Sequence, residues 1–176
     1  GGATSFEWSV DSSVNVTSLG GAPASATFAV PDFTIWANPG YALSGAVTGS
    51  LGNIVYFQNG AGASTSITAA GMLSIDGGPA AAAPWGALTQ TSVTPNFGYF
   101  SGSSSLPVGG FNSFAVTNAS ITLNASGGSF ASIGAQPQNK LKFEFTAVPV
   151  PEPESYALLL VGLGAIGLFA RRRQPR

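Results

Sequence analysis

The segment from Lys140 to Val148 constrains the fold more than any other. Leu141, Phe143, Phe145 and Ala147 alternate there with Lys142, Glu144 and Thr146. A period of two sends successive side chains to opposite faces of a strand, a pattern no helix turns toward one core. The same signature opens the chain. Phe6, Trp8 and Val10 oppose Glu7, Ser9 and Asp11, a Ser12-Ser13 break follows, and Val14 and Val16 resume the alternation. That reads as a half-buried strand pair or one bulged strand. Between these ends, short apolar runs recur at Thr27–Val30, Phe33–Ala37, Ser64–Ala69, Met72–Ile75, Leu88–Val93, Phe97–Phe100 and Phe130–Ile133.

Turn chemistry punctuates these runs. Gly20-Gly21-Ala22-Pro23, Asn38-Pro39-Gly40 and Asp76-Gly77-Gly78-Pro79 are turn signals, and Ser101–Ser105 and Gly109-Gly110 read as polar turns. Tyr41–Thr48 and Asn53–Gln58 predict a hairpin across Gly49–Gly52, and Phe111–Thr117 with Ser120–Asn124 predict another. Ile54-Val55-Tyr56-Phe57 is apolar on both faces, which predicts a central strand covered on both sides. No amphipathic helix precedes Ser155. Strands at this density predict an all-β, antiparallel β-sandwich or jelly-roll-like domain over residues 1–147.

Charge narrows the function. Charged residues are 7% of the 176-residue chain, and its net charge is −1. No Lys or Arg occurs before Lys140, so the basic footprint of a nucleic-acid binder is missing. Cysteine and histidine are both absent, which removes thiolate chemistry, soft-metal sites and the commonest general base. A hydrolase would then need carboxylates. Glu7 and Asp11 share the polar face of the first strand, and Asp32 and Asp76 sit in turns where Asp bonds backbone. The loops lack the spacing of a calcium site. The expectation is no enzyme, no metal and no cofactor. Of the three tryptophans, Trp8 and Trp36 lie in alternating contexts that predict core packing. Trp85, between Pro84 and Gly86, is the candidate surface contact for binding or assembly.

Three unlike pieces end the chain. Pro149, Pro151 and Pro153 fix φ at alternate positions, so residues 148–154 read as an extended linker. Tyr156 to Ala170 carries no charge, and Arg171, Arg172 and Arg173 close the run as a membrane stop. Glu154 and Ser155 suit a helix start, and the arginines suit the negative end of the dipole. Residues 155–176 therefore predict one hydrophobic helix with a basic stop. At 1.5 Å per residue the run reaches about 23 Å, short of a ~30 Å hydrocarbon core. Its eight strongly apolar residues supply roughly −2.5 to −5 kcal/mol on an insertion scale. A buried C-terminal helix of a soluble domain is the alternative, which the triple Arg disfavours.

Val150-Pro151-Glu152-Pro153, Tyr156-Ala157-Leu158-Leu159-Leu160, Gly162-Leu163-Gly164 and Arg171-Arg172-Arg173 together resemble the PEP-CTERM sorting signal of Gram-negative bacteria. The resemblance covers the tail alone and is silent on the fold ahead of it. It implies export by the general secretory route and recognition of Pro151, Glu152 and Pro153 by exosortase, an integral-membrane cysteine protease. It also implies an association with exopolysaccharide and with biofilm or floc. The start at Gly1-Gly2-Ala3 then fits a signal peptide already removed.

The sequence thus predicts an exported, non-enzymatic structural protein, held transiently at the inner membrane and destined for the cell surface or extracellular matrix. Its sparse charge guards poorly against self-association, so a homopolymer is expected, through an edge strand such as Thr4–Val10 or through packed C-terminal helices. An exopolysaccharide-binding module is the alternative.

Overall fold

The computed structural model describes residues 2–11, 13–83, 87–92, 96–150, 156–163 and 166, with side chains for all of these except 2, 3, 87–92 and 106–108. Ten strands follow in chain order: β1 (Gly2–Ser9), β2 (Asn15–Val30), β3 (Phe33–Trp36), β4 (Tyr41–Asn59), β5 (Ala63–Ile75), β6 (Ala81–Ala82), β7 (Ala87–Ser92), β8 (Asn96–Phe111), β9 (Ser113–Gly134) and β10 (Lys140–Pro149). They belong to one hydrogen-bonded sheet, and every pairing is antiparallel. A short helix, α1 (156–163), follows the last strand.

Two long strands organise the sheet. β9 carries β3 and then β2 along one edge, with β5 and then the end of β4 along the other. β4 pairs with β8 along one edge; its other edge takes β10 first and β9 afterwards. β1 lies outside β10, with Phe6 opposite Phe143 and Trp8 opposite Leu141.

The sheet folds over on itself. Phe6 of β1 meets Phe33 of β3 at 4.9 Å between ring centroids, although those strands share no hydrogen bonds. Phe143 meets Phe33 at 5.1 Å, and Phe145 meets Phe114 at 5.7 Å. The alternation in β1 and β10 drives this closure, because each strand turns its rings to one face and that face must leave water. Ile54, Phe114, Val116 and Leu123 have no exposed surface at all. Each such side chain stabilises the fold by about 1.5–3 kcal/mol. A cavity of about 120 Å³ remains between the halves, lined by Val30, Ile67 and Ile121 on one side and Leu51, Leu141 and Phe143 on the other.

Several predicted turns are strand interiors instead. Gly49–Gly52 does not reverse the chain, and β4 runs straight through it with a register shift against β8 between Leu51 and Ile54. Gly49 is paired on both sides, to Ser104 of β8 and Phe143 of β10, and a Cβ there would meet the Phe143 ring at ordinary van der Waals distance. Gly20–Pro23 is a bulge inside β2, where Gly20 and Gly21 take positive φ and the register to β9 shifts. Ser101–Ser105 pairs with β4, so the expected polar turn is strand as well. The second predicted hairpin is one strand, β9, kinked at Asn118 with φ of 51°. Asn tolerates that conformation, and Asp32 Oδ1 accepts the Asn118 backbone N–H at 2.8 Å.

β1 and β2 are separate strands in different halves of the sheet. Two further expectations need correction. Trp36 is 71% exposed rather than in the core, because Phe33 and Ile35 take the inner face of β3 and parity sends Trp36 outward. Ile54–Phe57 is central between β8 and β9, but its second face is not covered: Phe57 remains 37% exposed.

Candidate functional site

The tail leaves the domain at a sharp boundary. Pro149 is the last residue of β10, opposite Tyr41, and the Val150 N–H then donates to the Gly40 carbonyl at 2.8 Å. The recognition residues Pro151, Glu152 and Pro153 lie outside the described residues, as do Arg171, Arg172, Arg173 and Trp85. Every residue of α1 is exposed, including Leu158, Leu159, Leu160 and Val161. The alternative of a helix buried in the domain therefore fails over this segment. Among the described residues no helix is long and apolar enough to cross a membrane.

The acids ahead of the tail are occupied by structural tasks. Glu7 meets Lys140 at 3.2 Å across the β1–β10 pair, with both side chains about half exposed. Asp11 Oδ1 accepts the Ser13 N–H at 2.8 Å, and that bond holds the carboxyl below its ordinary range. Asp76 Oδ1 accepts from both Asn112 and Ser113, at 2.6 and 2.8 Å, and so ties the end of β5 to the junction of β8 and β9. Asp32 steadies the kink at Asn118. Among the described residues no three metal-ligating side chains come together.

Sequence reading missed a surface that the fold creates. Phe97 and Tyr99 of β8 point outward and are 60% and 57% exposed, and Phe97 pairs directly with Phe57 of β4. Phe57 meets Phe130 of β9 at 5.6 Å, and Phe130 lies opposite Leu19 of β2, itself 67% exposed. The result is an apolar diagonal across four adjacent strands. Its signal was present in the spacing of Phe97 and Tyr99 and in the two-sided apolar run of β4. The missing information was which face another layer covers.

Residues 149–174 match the family model of the PEP-CTERM protein-sorting motif. No curated protein and no solved structure matches the chain. The molecule is thus an antiparallel β domain followed by a C-terminal sorting motif. That motif implies an exported protein processed by exosortase, a membrane protein.

Proposed function

We propose that this chain is a non-enzymatic structural protein of the cell surface or extracellular matrix of a Gram-negative bacterium. In this reading the β domain acts as a sandwich-like building block that self-assembles. The sorting motif delivers it through the inner membrane and is then dispensable. The observation that carries the proposal is the boundary at Val150. The domain closes its core without any side chain of α1, while α1 leaves its whole apolar surface open. A helix of this kind contributes nothing to the domain and serves a membrane or a membrane protein. The absence of His and Cys, with the backbone-directed bonding of Asp32 and Asp76, supports a role without catalysis.

The test is replacement of Pro151, Glu152 and Pro153 together by Ala in a host that carries exosortase. Full-length variant is expected to accumulate in the membrane fraction, while the parent is processed and released. A variant released as fast as the parent overturns the sorting role. Retention of neutral exopolysaccharide is the second reading, favoured by the uncharged outward face of β2, β4, β8 and β9.

A further inference from the structure

We infer that the outward apolar diagonal formed by Leu19, Phe130, Phe57, Phe97 and Tyr99 is a self-association surface whose occupant is a second copy of this chain. The inference rests on the reading of the protein as a self-assembling one and names the surface that does it. It differs from the edge strand and the tail, the two routes the sequence pointed to. β1 is seated in its own sheet through all eight residues, and Phe6 and Trp8 pack against the rings of Phe33 and Phe143. Donating that strand to a neighbour would dismantle the inner aromatic cluster.

Three observations favour a second copy over other occupants. First, β2, β4, β8 and β9 contain no charged residue, so two identical faces approach without the repulsion that normally keeps copies apart. Second, the rings do not form a flat platform. Phe57 and Phe130 are inclined at 63°, and Phe97 and Tyr99 at 77°. Such a corrugated surface offers ring edges beside ring faces, and a two-fold axis brings edge onto face. Third, Tyr99 supplies the only hydroxyl on the five side chains. A sugar needs flat stacking and dense hydrogen bonding, whereas this diagonal is mainly Phe and Leu. The surface is continuous across the sheet, and contiguous exposed apolar area of this kind marks protein–protein contact.

The chain has no cysteine, so a single introduced thiol reports on this surface without background. The experiment uses the full chain in mild detergent, which covers α1. Phe97→Cys, Tyr99→Cys and, as an off-surface control, Trp36→Cys are treated with a short bis-maleimide. Covalent dimer is expected for the first two at least tenfold above the control. In parallel, the Phe97→Ser/Tyr99→Ser double variant is compared with the parent by sedimentation, after circular dichroism establishes that it is folded. The parent is expected to sediment as dimer or larger at tens of micromolar, and the folded double variant as monomer. If the parent assembles, the double variant assembles equally and the three thiols cross-link alike, another surface is responsible. This inference then fails while the assembly reading stands. A parent that is monomeric at that concentration overturns both. If a neutral glucan such as dextran binds the parent and not the double variant, and no cross-link forms, the surface belongs to a polysaccharide and the inference is overturned.

Discussion

The molecule holds two groups of aromatic rings on the same kind of strand, and they meet opposite fates. The inner group, Phe6, Trp8, Phe33, Phe114, Phe143 and Phe145, lies where the sheet folds over, and Phe6 and Phe143 stack at 5.5 Å with 10° between their planes. The outer group sits on the opposite face, where Phe57, Phe97 and Tyr99 are exposed and Phe130 is half-buried. Edge-on pairs occur in both: Phe6 with Trp8 at 5.0 Å inside, Phe97 with Tyr99 at 5.5 Å outside. Ring pairing is therefore set by strand neighbours and looks alike in the two places. What distinguishes them is the second layer, which buries Phe114, Phe143 and Phe145 and partly covers Phe6, Trp8 and Phe33, while it leaves Phe57, Phe97 and Tyr99 as surface.

Phe114→Ala tests the inner group most severely. Its ring is fully buried against Phe33, Phe111 and Phe145, so truncation is expected to cost about 3–5 kcal/mol, read as a fall in the urea midpoint. A cost no larger than that of an outer ring would erase the comparison. Gly128→Ala comes next, because it strains the segment where β9 passes from β5 to β4. Gly128 has φ of 64°, and an added Cβ would collide with the Asn59 carbonyl oxygen and approach the Ala63 Cβ to 2.7 Å. The expected loss is about 1–3 kcal/mol, and thermal melting measures it.

The outer group sharpens the contrast by doing less. Phe97→Ser is expected to change the stability of the domain by no more than about 0.5 kcal/mol in urea, since water already reaches that ring. Smaller still is Glu7→Gln. With both side chains about half exposed, the pair with Lys140 sits at the low end for such ion pairs, about 0.2 kcal/mol, and the effect should shrink further in high salt.

The smallest effect concerns acid. The Ser13 N–H lowers the Asp11 carboxyl from its ordinary value of 3.8. A depressed folded value means the stabilisation is complete above the unfolded value and disappears as pH falls through the folded one. Melting curves from about pH 5 down to about pH 2 should therefore converge for parent and Asp11→Asn at the acid end. Divergence toward low pH would reverse the assigned sign.

Much of this was legible along the chain. The alternation of Leu141, Phe143 and Phe145 identified β10, and Phe6 with Trp8 identified β1, because parity is written in consecutive residues. The tail was equally plain, since proline, an apolar run and arginine act in order without any distant partner. The hairpin across Gly49–Gly52 was misread for a physical reason. A glycine at a chain reversal and a glycine inside a strand paired on both edges, as Gly49 is to β8 and β10, look identical in one dimension. Asn118 misled similarly, since the Asp32 carboxylate that stabilises its kink lies 86 residues away in sequence.

The sequence by itself determined the strand-forming segments, their antiparallel character and the sorting motif, all of which depend on neighbours along the chain. Only the tertiary structure decided which strands run on through glycine, that Trp36 points outward and that Phe57, Phe97, Tyr99 and Phe130 form one surface. Those outcomes depend on what lies opposite a side chain. Burial is a relation between two faces brought together by folding, and a single strand's pattern specifies only one of them.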